Sequence, residues 1–136
     1  MRKNKRQLLA NYFAHQPVRI VYLFGSQASG KVHPRSDYDF GILFDRDLDS
    51  SKRFEKRLEM MSDLSKILGC DRVEIVDLEA APSYLAYSVI APREIVLVKD
   101  EKARISFEHR VFSLYFDRLY YLKRHTQESL RHFAGE

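Results

Sequence analysis

Two apolar runs on either side of a polar loop constrain the fold of this 136-residue chain more than any other feature. Residues 18–24 (VRIVYLF) and 37–44 (DYDFGILF) are rich in β-branched and aromatic residues, which is typical of strands, and Gly25 ends the first run. Side chains alternate faces along a strand, so four apolar residues of the second run take one face and Asp37 and Asp39 the other. The sequence therefore predicts two strands, the second of which carries two carboxylates side by side.

Hydrophobic periodicity and turn residues predict the remaining elements. Together they indicate an α/β or α+β fold, a small mixed β-sheet with flanking helices. The predicted elements are a helix over 3–15, a short helix over 26–29 and a loop over 30–36, a polar loop over 45–51 followed by a helix to Leu68 with Gly69 as its C-cap, a strand over 72–78, a helix over 82–90, a weaker strand over 94–98, and one long helix or two over 101–133.

Length and composition indicate one domain spanning 1–136, with a core of about 17–99 and a helical tail of about 101–133. No apolar run approaches the ~20 residues that cross a bilayer, so no membrane association is expected. The single cysteine, Cys70, has no partner for an internal disulfide or a zinc site, and we expect a cytoplasmic location. The net charge of +4 suits an anionic ligand but is too small to indicate direct nucleic-acid binding.

The paired carboxylates Asp37 and Asp39 are suited to a hard divalent cation such as Mg²⁺, which prefers oxygen ligands. Transfer at a nucleotide phosphate gains from two such ions, and a third carboxylate from a neighbouring strand often completes the cluster. Glu74, in the apolar run RVEIVDL, is the best candidate, and Asp77 is a rival on the opposite face. The alternatives are a capping or turn role for the two aspartates and an edge-strand surface charge for Glu74.

Gly25 and Ser26 follow the first strand directly, where backbone N–H groups at a turn can hold a phosphate. Ten residues separate Ser26 from Asp37, so the stretch reads GS-x10-D-x-D. Lys31 and Arg35 lie in the intervening basic loop, where they can contact phosphates or a partner, or simply face solvent.

This pattern resembles the signature of the polymerase-β-like nucleotidyltransferase superfamily, and most of all its minimal nucleotidyltransferase (MNT) domains. The resemblance rests on LFGSQASG, SDYDFGILF and RVEIVDLEAAPSYLAYSVI. It implies that Asp37, Asp39 and Glu74 bind Mg²⁺ and that Gly25 and Ser26 hold the triphosphate of ATP. Two positions depart from the family pattern. Gln27 stands where many members have arginine, which leaves phosphate contacts to Lys31 or Arg35. Glu74 stands where the third acid is often aspartate.

Within the superfamily the chain is most similar to MNT antitoxins that are encoded beside HEPN-domain ribonuclease toxins. The resemblance implies an Mg²⁺-dependent adenylyltransferase that moves AMP from ATP to a tyrosine of the HEPN toxin, within a hetero-oligomeric complex. One alternative is a nucleotidyltransferase acting on a small molecule such as an aminoglycoside. Another is a non-catalytic antitoxin that neutralises its toxin by occlusion.

Overall fold

The computed structural model describes residues 3–25 and 37–134, the side chains of residues 133 and 134 excepted. The predicted short helix over 26–29 and loop over 30–36 lie outside this part of the chain. Every other predicted element is present, with boundaries shifted by at most two residues. The elements are α1 (Lys3–Ala14), β1 (Val18–Phe24), β2 (Tyr38–Phe44), α2 (Ser50–Leu68), β3 (Val73–Asp77), α3 (Ser83–Ile90), β4 (Ile95–Val98) and α4 (Glu101–Ala134).

The four strands form one mixed sheet in the order β3-β2-β1-β4. β1 pairs antiparallel with both β2 and β4, whereas β2 and β3 are parallel. A parallel pair needs a crossover of a dozen or more residues, and α2 supplies it between β2 and β3. The mixed sheet with flanking helices confirms the predicted fold class.

The two faces of the sheet bury different side chains, as the alternation in β2 predicts. One face packs Tyr38, Phe40, Ile42 and Phe44 against α1 and α2, with Phe13 and Leu64 among the buried partners. The other face packs Leu43 against α3 and the first turns of α4. Gly41 lies on this second face, where an ideal Cβ would be 3.5 Å from Val89 Cβ and closer still to Val89 Cγ1, so α3 approaches the strand closely there.

Local sequence signals set both ends of α2. Asp49 is the N-cap, and its carboxylate accepts a 2.8 Å hydrogen bond from the backbone N–H of Lys52. Gly69 ends the helix in the left-handed conformation at φ +61°, and its N–H bonds to the carbonyl of Ser65. The predicted glycine C-cap is therefore confirmed.

The tail is one continuous helix of 34 residues, α4, rather than two. Ala103, Phe107 and Val111 are buried against the sheet and α3. Beyond that point the helix exposes a set of large apolar side chains, which comprises Leu114, Phe116, Leu119, Tyr120, Tyr121, Leu122 and Leu130. Within the described residues, no helix combines the length and the apolar character required to cross a membrane.

Candidate functional site

The two aspartates lie where β2 begins. Asp39 is the second residue of β2, on the face that also carries Gly41 and Leu43, and Asp37 directly precedes the strand. Both side chains are partly exposed, unlike the buried apolar residues between and after them. Alternation along this short segment thus places the two partly exposed carboxylates on one face and buried apolar side chains on the other.

Glu74 reaches the same place through the pairing of β2 with β3. In this parallel pair Asp39 is the register partner of Glu74, and both residues lie on the face that α3 covers further along the sheet. β3 is an edge strand and Glu74 is exposed, so no burial penalty singles this acid out. The strand register, rather than burial, brings the third predicted acid to the aspartates.

Asp77, the rival third acid, has a structural role on the opposite face. Its Oδ2 accepts a 2.7 Å hydrogen bond from Arg53 Nε in α2, and its Oδ1 accepts one of 3.1 Å from the backbone N–H of Glu79. Both partners of the Arg53–Asp77 ion pair are mostly buried. Asp77 therefore joins α2 to the end of β3 and lies apart from the acidic site.

Gly25, which directly follows β1, lies against the acidic site. The register pairs Phe24 with Asp39, so the residue that follows β1 lies beside the aspartate. Gly25 has φ +77°, and a Cβ built on it would lie 3.2 Å from Asp39 Cγ and closer still to Oδ2. Only glycine fits both the backbone conformation and this close approach. Its neighbour Ser26 lies outside the described residues, as do Lys31 and Arg35.

The surroundings of Asp39 change the pKa of its carboxyl. Burial raises the pKa of its carboxyl above the ordinary value, and the negative charges of Asp37 and Glu74 raise it further, while Arg72 opposes them. Two neighbouring acids thus act on Asp39, and the cation that opposes them is Arg72. A site with this imbalance favours a proton or a bound cation at Asp39.

Arg72 is a member of the site that the sequence did not single out. Its Nη1 lies 3.4 Å from Asp37 Oδ2 in an ion pair that is exposed to solvent. Asp37 and Arg72 directly precede the register partners Tyr38 and Val73, so the strand pairing sets them side by side. An arginine just before a strand is common in sequences, and the pairing could be found only once the register was known.

The donor chemistry of the acidic site fits a hard divalent cation, because carboxylate oxygens of Asp37 and Asp39 lie together and Glu74 is within electrostatic reach. The missing Cβ of Gly25 leaves space beside Asp39 Oδ2. As the side chains stand, no three His, Cys, Asp or Glu residues in 3–25 or 37–134 form a ready-made metal site. Mg²⁺ usually binds through one or two carboxylates, with water and substrate phosphate as its other ligands, so the two aspartates are the first candidates to hold it.

Comparison with known proteins places this geometry in a family context. The sequence model of the family described as polymerase beta nucleotidyltransferase matches residues 7–102. The protein adenylyltransferase MntA of Shewanella oneidensis is 34% identical over 73 residues, which is 54% of this chain and 49% of that protein. The chain therefore spans about half the length of this relative.

Two solved structures share the fold over nearly the whole chain. A toxin–antitoxin structure with AMP-PNP superposes with a TM-score of 0.70 at 22% identity, covering 95% of this chain and 99% of that one. A complex of tri-AMPylated Shewanella oneidensis HEPN toxin with MNT antitoxin superposes with a TM-score of 0.64 at 21% identity, covering 92% and 98%. At these identities the likeness is one of fold. With 92–95% of the chain covered, the likeness extends into α4.

Proposed function

This chain belongs to the polymerase beta nucleotidyltransferase family, and from that premise we propose that it transfers AMP from ATP to a tyrosine of a HEPN-domain toxin. In doing so it would silence the toxin and act as its antitoxin. The observation that carries the proposal is the register of β2 with β3, which sets Asp39 opposite Glu74, with Asp37 and Gly25 adjacent. The similarity to a protein adenylyltransferase supports the choice of AMP as the transferred group.

The site residues divide into an acidic and a phosphate-binding set in this proposal. Asp37, Asp39 and Glu74 would hold Mg²⁺, and transfer at a nucleotide phosphate gains from two such ions. The backbone at Gly25 and Ser26 holds the triphosphate, and Lys31 and Arg35 add positive charge around it. Bound Mg²⁺ would neutralise the phosphate oxygens and the leaving pyrophosphate.

The chemistry of this chain's own residues follows from their positions. The tyrosine oxygen of the acceptor forms a bond to the α-phosphorus of ATP, the bond from that phosphorus to the bridging oxygen breaks, and pyrophosphate leaves. Glu74, which is exposed at the edge of the sheet, takes the hydroxyl proton. Gly25 lets the phosphate chain approach Asp39 without obstruction from a side chain.

A protein acceptor is consistent with the surface of the molecule. The acidic site lies open at the sheet edge, and the far half of α4 exposes apolar side chains that a partner protein can cover. The chain as a whole would act as one nucleotidyltransferase domain, 1–136, within a hetero-oligomeric complex in the cytoplasm. Direct nucleic-acid binding has no part in the proposal.

The experiment is transfer from α-labelled ATP to the HEPN protein encoded beside this chain, with the Asp37→Asn/Asp39→Asn double variant as the test. We expect label on a tyrosine of the partner with the wild-type chain and a loss of at least ~10³-fold with the double variant. Asp77→Asn is a control for the loss of a carboxylate elsewhere, since it removes one carboxylate charge from the other face of the sheet. Absence of label on the partner with the wild-type chain would contradict the proposal.

The same variant separates catalysis from occlusion, the second candidate, which the exposed apolar side chains of α4 favour. Growth rescue in cells that express the toxin is the readout. If the Asp37→Asn/Asp39→Asn variant rescues growth as well as the wild-type chain, neutralisation occurs by occlusion. If rescue is lost while the variant still binds the toxin, neutralisation depends on AMP transfer.

A further inference from the structure

A cleft of about 380 Å³ lies at the end of the sheet opposite the acidic site. Leu43 of β2 and Phe107 of α4 line it, and both are almost fully buried. Leu43 is four residues beyond Asp39 on the same strand, so the cleft begins roughly 13 Å from the acidic site. Its volume falls in the usual range for small-ligand sites.

Arg19 forms a fixed cationic wall of the cleft. Its Nε donates a 2.8 Å hydrogen bond to the carbonyl of Phe44, and its Nη2 donates one of 3.0 Å to Glu79 Oε1. The arginine side chain is only 12% exposed. A guanidinium has five N–H donors, so the two contacts orient the group and leave further donors for a ligand.

Arg46 and Arg110 add two further cations to the lining of the cleft. Within the described residues neither side chain forms an ion pair, and the Arg110 guanidinium lies 5.6 Å from the centre of the Phe107 ring. Among the described side chains that line the cleft, three are guanidinium groups and one, that of Glu79, is a carboxylate, so the lining itself carries an excess of positive charge. Such an excess in a concave site attracts a multiply charged anion.

We propose that this cleft binds a small phosphate-bearing anion, a pyrophosphate group that is either free or carried on a nucleoside, without help from a metal ion. Planar guanidinium forks match phosphate oxygens in pairs, and a pyrophosphate carries the charge that three arginines can neutralise. The cleft has one carboxylate, already engaged by Arg19, and so lacks the acids that hold Mg²⁺ in the proposed active site. The inference goes beyond the proposed function and does not depend on it.

The test is calorimetric titration of the full chain with pyrophosphate and, separately, with ADP, in a buffer that contains EDTA. Without metal, the carboxylates of Asp37 and Asp39 repel a polyphosphate, so binding there is suppressed. We expect wild-type binding that weakens about 100-fold in Arg46→Gln/Arg110→Gln, about tenfold for each lost charge-assisted contact. Arg46 and Arg110 are exposed, and melting curves check that the variant folds.

Arg93→Gln/Arg118→Gln is the matched control, because it removes two positive charges from exposed arginines that do not line the cleft. It should change the affinity less than about threefold, since exposed charges at a distance are screened. Equal affinity for the two ligands identifies the phosphate chain as the recognised group, and tighter ADP binding identifies a nucleotide. No binding by the wild-type chain, or equal weakening in the two arginine double variants, overturns the proposal.

Discussion

Gly25→Ala provides a direct test of how closely the end of β1 approaches the acidic site. Gly25 has φ +77°, a conformation in which alanine is about 1 kcal/mol less favourable than glycine. The new methyl group would also lie 3.2 Å from Asp39 Cγ and closer to its Oδ2, so the carboxylate must rotate away. An off-rotamer side chain adds about 0.5–1.5 kcal/mol.

Gly69→Ala is the matched control, because Gly69 has a similar φ of +61° and an added Cβ would meet nothing within 4 Å. It should show the backbone penalty alone, about 1 kcal/mol, or a fall of about 3–5 °C in Tm for a chain of this size. Gly25→Ala should lower the free energy of unfolding by about 1.5–2.5 kcal/mol. Thermal unfolding followed by circular dichroism measures both.

Activity should separate the two variants more sharply than stability. Displacement of a reacting group by about 1 Å can lower the rate about 100-fold, and the methyl group of Gly25→Ala displaces Asp39 by a comparable amount. We therefore expect AMP transfer, measured with α-labelled ATP, to fall about 100-fold in Gly25→Ala at a temperature where both variants are folded. Gly69→Ala should retain wild-type activity, since Gly69 lies at the end of α2.

The contrary outcome is a Gly25→Ala variant that transfers AMP at the wild-type rate and is as stable as Gly69→Ala. That result would mean that Asp39 has space to spare and that the close approach has no functional consequence. Equal loss of activity in both alanine variants would also count against it, because general destabilisation would then explain the effect.

Four further variants test the assignments of individual side chains. Asp39→Asn should raise Tm in metal-free buffer at pH 7. The pKa of Asp39 is raised in the folded chain, so ionisation of its carboxyl opposes folding. The gain in Tm over wild type should therefore shrink as the pH falls through that pKa. Glu74→Gln should lower AMP transfer about 100-fold with little change in Tm, because Glu74 is exposed. Asp77→Asn should have the opposite effect: it should lower the free energy of unfolding by about 1–3 kcal/mol and leave AMP transfer unchanged. Tyr22→Phe should lower that free energy by about 1–2 kcal/mol in denaturant titrations, since the buried hydroxyl donates a 2.7 Å hydrogen bond to Glu108.

Each of these has a contrary outcome. An Asp39→Asn gain that persists unchanged at acidic pH would show that charge is not its cause. Transfer that depends on Asp77 and not on Glu74 would exchange their assigned roles. A Tyr22→Phe variant as stable as wild type would mean that water satisfies Glu108 equally well.

Local patterns in the sequence were sufficient to predict the elements and the two faces of β2. β-branched and aromatic runs marked the strands, Gly25 marked the end of β1 and Gly69 the end of α2, because these signals act within a few residues along the chain. Alternation assigned Asp37 and Asp39 to the face opposite Tyr38 and Phe40, since the side-chain period of a strand is fixed by its backbone. These predictions needed no knowledge of what packs against what.

Contacts between distant segments were decided only by the tertiary structure. Nothing in the run 72–78 states that Glu74 pairs with Asp39, that Asp77 is engaged by Arg53, or that Arg72 reaches Asp37, because register depends on how α2 crosses the sheet. The close approach of Gly25 to Asp39 likewise follows from the pairing of β1 with β2. The sequence thus determined which residues can do the chemistry, and the packing of the sheet determined which of them meet.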